Sequence, residues 1–237
     1  MKQLLTGALA ASTLAIAAFS QASPAAALTL GSQLTGDPRT QNPDNLIVDV
    51  TIKSGADAGL ATNEARWTVD INSPLHPDAK LGQFAFNLAG AASNYSFSGF
   101  DPTGWSIQSP SGNVQGSGSA NFLFGANDPP RNPNDVTNAR NLTFLMTKLS
   151  GEITAADFLT APFATSNDSL LGSFQLGAHL QSLTASRGMS DSGFARGNYT
   201  APTSTPIPTP ALVPAAVGAG LAILRKKKQE ENAAQDA

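Results

Sequence analysis

The chain has 237 residues, enough for one domain of ordinary size together with end segments. Only 13% of the residues are charged, and the 21 glycines and 16 prolines favour a loop-rich all-β domain over a helical bundle. The sequence contains no cysteine, which excludes disulfide bonds, thiolate metal sites, a cysteine nucleophile and the lipidated cysteine of bacterial lipoproteins.

Positive charge is concentrated at the two ends of the chain. The ends hold five of the fourteen basic residues, namely Lys2, Arg225, Lys226, Lys227 and Lys228. They hold three of the seventeen acidic residues, so nine basic and fourteen acidic residues remain between them. This acidic middle argues against nucleic acid as a partner, because phosphate binding needs clustered lysine and arginine.

Residues 1–27 have the three parts of a secretory signal peptide. Lys2 supplies a short positive region, and residues 4–19 are an apolar region softened by small residues. The small residues Ala25 and Ala27 then form an A-x-A cleavage site, and SQA at residues 20–22 is a second candidate. The alternative is an N-terminal membrane anchor or a buried helix, which would not need the small-residue run.

Residues 28–200 contain short segments in which apolar and polar residues alternate between turn-forming residues. Such alternation is typical of strands with one buried face and one solvated face. The number and spacing of the segments predict an antiparallel β-sandwich, which resembles cohesin-like and carbohydrate-binding jelly-roll modules. The segments are NLIVDVTIK (45–53), ARWTVDI (65–71), GQFAFNL (82–88), YSF (95–97), WSI (105–107), ANFLF (120–124), NLTFLM (141–146) and SFQLGAHLQSL (173–183).

One segment, GEITAADFLTAPF (151–163), breaks the alternation and predicts a single short helix. Thr154 is followed three residues later by Asp157, which is a capping-box arrangement. Pro162 requires the helix to end before it.

The two histidines are the obvious candidates for chemistry. His179 alternates with Gln175 and Gln181, opposite the apolar positions, so we expect its side chain to face solvent or a ligand. His76 lies between prolines in a loop. A secreted hydrolase with its site near His179 is one alternative, although no G-x-S-x-G motif accompanies the histidines. We expect a non-catalytic role for both.

A polar loop, GANDPPRNPNDVTNARN (125–141), contains oxygen-bearing side chains that could ligate Ca²⁺. The candidates are Asp128, Asn132, Asn134 and Asp135. Their spacing does not match an EF-hand, and prolines crowd the loop, so an ordinary exposed loop is the simpler interpretation. We therefore predict no cofactor and no metal site.

The remaining candidates have simpler structural interpretations. Glu64 and Glu152 are the only glutamates of the domain. A catalytic pair of carboxylates would need both residues to line one cleft. Glu152 instead precedes the predicted helix, where a solvated charge is expected. Trp67 alternates with core positions, and Trp105 could be buried or exposed, so no aromatic platform for sugars is predicted.

The C-terminal region has three parts. Residues 201–210, APTSTPIPTP, predict an extended proline- and threonine-rich linker. Residues 211–224 are uncharged and would form a helix of about 21 Å, shorter than the roughly 30 Å hydrocarbon core. Arg225, Lys226, Lys227 and Lys228 would stop transfer and keep the tail, residues 225–237, on the cytoplasmic side.

This layout resembles the PEP-CTERM sorting signal of exosortase substrates. Pro208, Thr209, Pro210 and Ala211 resemble its PTPA variant, associated with cyanobacteria, with Thr209 where the commoner signal has glutamate. The resemblance implies cleavage near this motif by an exosortase-type membrane protease, then release or attachment at the cell surface. It also implies a setting of extracellular polysaccharide or biofilm matrix. The alternative is a permanent C-terminal anchor with the same topology. The sequence thus predicts an exported, non-enzymatic sandwich that is transiently anchored in the inner membrane.

Overall fold

The structure is a computed structural model, and it describes residues 27–39, 43, 45–55, 58–128, 135–185 and 190–201. By its contacts the chain divides into residues 1–202 and 203–237, and the second unit lies outside the described residues. Several predictions also concern residues outside the described ranges. They are the predictions for Ala25, the sorting motif, the short membrane helix, the basic cluster, Asn132 and Asn134. Among the described residues, no helix is both long and apolar enough to cross a membrane.

The fold is all-β and antiparallel, as predicted. The strands are β1 (Leu28–Thr35), β2 (Ile47–Ser54), β3 (Glu64–Ile71), β4 (Lys80–Phe86), β5 (Tyr95–Asp101), β6 (Ser106–Gln108), β7 (Phe124–Asn127), β8 (Leu142–Lys148), β9 (Ala164–Thr165), β10 (Ser173–Phe174), β11 (Leu176–Gln181) and β12 (Gly193–Gly197). Ten of these strands form one sheet in the order β5-β8-β3-β2-β1-β12-β11-β4-β7-β6, and β9 and β10 form a separate pair.

The large sheet folds over so that its two halves pack face to face and its two edge strands, β5 and β6, come into contact. The two halves join where β1 pairs with β12, through the single register pair Thr35 and Arg196. Trp67 of β3 stacks on Phe144 with ring centroids 5.5 Å apart and also lies 4.6 Å from the ring of Phe86, on the opposite half. The predicted core position of Trp67 is therefore confirmed, and Trp105 is also buried.

A second, smaller core lies on the outer face of β4, β11 and β12. It is built from Ala85, Val114, Ala120, Phe122, Ala164, Leu171, Phe174 and Phe194. The loop before β7 and the β9–β10 segment supply most of these side chains and cover that face. Phe122 belongs to this cluster and precedes β7, so the strand predicted over residues 120–124 begins only at Phe124.

The predicted short helix is present as α1 (Ala156–Leu159) and ends before Pro162. Half of the predicted capping box forms, because the Asp157 carboxylate accepts the backbone N–H of Thr154 at 2.8 Å. The Thr154 hydroxyl also lies 3.2 Å from that carboxylate instead of capping a backbone N–H. Asp157 additionally accepts from Lys148 and Tyr95, so one carboxylate fixes the helix to β8 and β5.

Candidate functional site

His179 was expected to face solvent or a ligand, and the structure shows that it does not face open solvent. The side chain does lie opposite the main core, but only 3% of the residue is exposed, because loops of the second core cover that face of β11. Gln175, just before β11, is also buried, but toward the main core, where its amide donates to the backbone oxygen of Ala161 at 2.7 Å. Alternation along a strand shows which side chains share a face, but it does not show whether that face is exposed. Both faces of β11 are covered.

His179 lines a small polar pocket of about 190 Å³. The other described residues that line it are Arg39, Gln115, Gly116, Ser190, Ser192 and Gly193. The Nδ1 atom of His179 lies 3.5 Å from Nε2 of Gln181, and its Nε2 atom is buried with no hydrogen-bond partner among the described residues. Burial lowers the pKa of His179, so the imidazole is neutral at neutral pH.

Arg39 brings a positive charge to this pocket, but that charge is already compensated. Its guanidinium group donates to the buried carboxylate of Asp37 and to the backbone oxygen of Gly116 at 2.8 Å. The hydrogen bond that Arg39 donates to Asp37 raises the pKa of Arg39 despite partial burial. The hydroxyls of Ser190 and Ser192 lie 3.2 Å from each other. Within the described part of the chain, no serine or carboxylate is hydrogen-bonded to His179, so no catalytic triad is assembled there.

A second hollow, of about 350 Å³, opens between the two edge strands of the folded sheet. It is lined by Ala92, Tyr95, Phe97, Phe100, Ser106, Ile107, Ser109 and Phe124. We call it the aromatic groove. The rings of Phe97 and Phe124 meet edge to face with centroids 4.9 Å apart. Phe97 and Phe100 are half-buried, and Ser106 and Ser109 are exposed at the rim.

No protein-family model, curated protein or solved structure matches this chain. The two hollows are therefore interpreted from their own geometry and chemistry.

The sequence reasoning missed the aromatic groove because Phe100 departs from the two-residue alternation. Gly99 has a φ of 63°, and the register of β5 against β8 shifts between Ser98 and Asp101. This irregularity brings Phe100 to the same side of the strand as Phe97. The signal that was available is a glycine between closely spaced aromatic residues in SFSGF, which is typical of a bulge.

The loop candidates are engaged in structural contacts. Asp135 forms an ion pair with Lys80, with 2.6 Å between carboxylate oxygen and Nζ. His76 is buried in the β3–β4 loop, and its backbone oxygen accepts from Asn138 at 2.8 Å. Asp128 directly follows β7, and the described residues contain no group of three histidine or acidic side chains placed to hold an ion.

The two glutamates also have structural surroundings. Glu64 begins β3, and its carboxylate accepts the backbone N–H of Ala61 at 3.2 Å. Glu152 is exposed before α1, and its backbone oxygen accepts from Lys148 at 3.0 Å. Neither lines the polar pocket or the aromatic groove.

Proposed function

We propose that this protein is an exported, non-enzymatic β-sandwich that is displayed at or released from the cell surface through a C-terminal exosortase-type sorting signal. One observation carries the proposal. The first described strand begins at Leu28, directly after the expected cleavage site, and Thr200, directly before the expected linker, still contacts the domain. The Thr200 hydroxyl donates to the backbone oxygen of Gly31 at 2.6 Å. The strands of the described residues therefore lie between the two expected processing segments.

A binding role is supported by the character of the aromatic groove. Its walls are aromatic rings, and its rim carries the hydroxyls of Ser106 and Ser109. Apolar walls with a few polar groups are typical of sites that hold small organic groups. Sugar rings offer apolar C–H faces to aromatic side chains and hydroxyls to serine, so the proposed ligand is a segment of extracellular polysaccharide.

The second candidate function is the secreted hydrolase with its site near His179. The Nε2 atom of His179, which lies in a polar pocket and has no hydrogen-bond partner among the described residues, favours it. In that case replacement of Ser190 and Ser192 by alanine would abolish hydrolysis of a substrate ester or glycoside. Under the non-enzymatic proposal the purified protein hydrolyses neither class, with or without these substitutions.

The decisive experiment for export and sorting is mass spectrometry of both ends of the protein recovered from producing cells. We expect an N-terminus at Leu28 and a C-terminus near Pro210. Replacement of Pro208 and Pro210 by alanine should retain the tail and leave the protein in the membrane fraction. Recovery of the intact 237-residue chain from the cytosol would overturn the proposal.

A further inference from the structure

The outer face of β2 and β3 carries three consecutive cross-strand pairs of matched chemistry. In the antiparallel register Asp49 lies opposite Asp70, Thr51 opposite Thr68, and Lys53 opposite Arg66. We call these pairs the acidic, hydroxyl and basic rungs. All six side chains point away from the core, since their neighbours along each strand are buried. The acidic and basic rungs are about 13 Å apart, four residues along each strand.

Both charged rungs are unfavourable within one copy of the chain, because like charges directly opposite each other in a sheet repel. No ion pair is formed by Lys53 or Arg66 with any other described residue. Asp49 receives hydrogen bonds from the amides of Gln33 and Asn72, which do not neutralise its charge. Partial burial and the nearby charge of Asp49 raise the pKa of Asp70. Among the described residues, the fold therefore places like charges together without pairing Lys53 or Arg66 with an acidic side chain.

We propose that this face binds the same face of a second copy of the chain, in a two-fold symmetric dimer. The two-fold axis lies between the two faces and runs along the hydroxyl rungs, perpendicular to the strands. It therefore places each basic rung over the partner's acidic rung. An axis parallel to the strands would instead place acidic over acidic and basic over basic. Self-complementarity of this kind is what a symmetric dimer interface requires.

The shape of the face fits this arrangement. Packed sheets lie about 10 Å apart, and a long lysine or arginine facing a short aspartate spans that distance better than two side chains of equal length. Shallow hollows lie beside the hydroxyl rung. One is lined by Thr51, Lys53, Ala58, Arg66 and Thr68, and the other includes Gln33, Asp49 and Thr51. The hollow beside Asp49 leaves room for the partner's basic side chains, and the hollow beside Lys53 and Arg66 lies where the partner's aspartates would come.

A ligand of one charge sign fits the face less well than a second copy. A polyanion that binds Lys53 and Arg66 would lie near the acidic rung, and a cation at Asp49 and Asp70 would lie near the basic rung. The acidic and basic rungs are separated by a distance close to the Debye length of about 10 Å. A ligand bound at one rung would therefore be repelled by the other rung. A second copy satisfies both rungs at once.

The test is sedimentation velocity of the full chain in a nonionic detergent at low ionic strength. Two variants make the face uniform in charge: K53E/R66E carries only acids, and D49K/D70K carries only bases at the rungs. We expect a wild-type dimer whose dissociation constant rises about tenfold or more in high salt. Each variant alone should be monomeric, and a one-to-one mixture should form a heterodimer.

Three outcomes would overturn the proposal: a wild-type protein that stays monomeric, dimers that persist in both variants, or a mixture that remains monomeric. The neutral variants K53Q/R66Q and D49N/D70N guard against misfolding of the charge reversals, and each should weaken the dimer. Arg140→Glu, a charge reversal at an exposed position outside the face, is the matched control and should leave the dimer unchanged.

Discussion

Lys148 Nζ lies 2.7 Å from Asp157 Oδ1, and this ion pair joins β8 to α1 with the carboxylate almost fully buried. The hydroxyl of Tyr95 lies 3.1 Å from the same oxygen, and Tyr95 also lines the aromatic groove. Burial by itself would raise the pKa of Asp157, but the hydrogen bonds from Lys148 and Thr154 outweigh burial and lower it. The ion pair thus positions one wall of the groove.

Replacement of Asp157 by asparagine should therefore destabilise the domain. The substitution leaves Lys148 without its counter-charge in a largely buried position, and we expect the free energy of unfolding to fall by about 2–3 kcal/mol. Urea denaturation at neutral pH measures the change. Glu152→Gln, at an exposed acid four residues from Lys148, is the control and should change stability by less than about 0.5 kcal/mol. Equal losses in both variants would contradict the assigned role of Asp157.

His179 should make the stability of the domain depend on pH between about pH 7 and pH 5. Burial lowers its pKa in the folded state, so in this range the unfolded state binds more protons. Stability therefore falls as the pH drops below the unfolded pKa of about 6.5, by no more than about 2 kcal/mol at pH 5.

Urea denaturation at several pH values measures this slope. His179→Gln should reduce the slope, and His76→Gln, at the other histidine, should leave the contribution of His179 in place. A slope that is the same in wild type and His179→Gln would show that burial of the imidazole does not control this pH dependence.

The sequence predicted strands well where one face is buried and the other is wet. β2, β3 and β8 alternate in this way, and their segments were predicted within a few residues. β1 was not singled out because Gly31, Ser32 and Gln33 weaken its apolar pattern. The α1 helix was predicted because its cap depends on local chemistry between Thr154 and Asp157.

The candidate sites were predicted less well, because they depend on what covers each face. Five consecutive residues of β11 are buried, so a polar residue such as His179 gave no information about exposure. The cover comes from residues 109–123 and 164–174, whose position over β11 is a tertiary property that no local pattern encodes. The aromatic groove likewise depends on contact between β5, which contains Tyr95, and β6, which contains Ser106. No local pattern in either strand predicts that contact.

Gly177 should be intolerant of any side chain. A Cβ added at this position would lie 2.6 Å from an atom of the Phe194 ring and 2.8 Å from an atom of the Phe122 ring. Replacement by alanine forces these rings apart, and we expect a loss of about 1–3 kcal/mol. The control is Gly31→Ala in β1, where an added Cβ meets nothing within 4 Å. Thermal unfolding of the two variants compares them directly, and equal stability would argue against a packed second core.

Binding of polysaccharide in the aromatic groove should depend on the ring of Phe100 and on the open space beside Ser106. Phe100→Ala removes a ring from the wall, and Ser106→Trp fills the opening from an exposed position without removing a buried contact. We expect either change to weaken binding at least about tenfold, since aromatic anchors dominate such contacts.

Affinity electrophoresis through gels that contain the extracellular polysaccharide of the producing cells measures this effect. Phe163→Ala removes an exposed phenylalanine that is 56% accessible and does not line the groove, so it should migrate as the wild type does. Retardation of Ser106→Trp equal to that of the wild type would place any polysaccharide contact elsewhere on the domain, because the blocked groove could then not be the surface that slows migration.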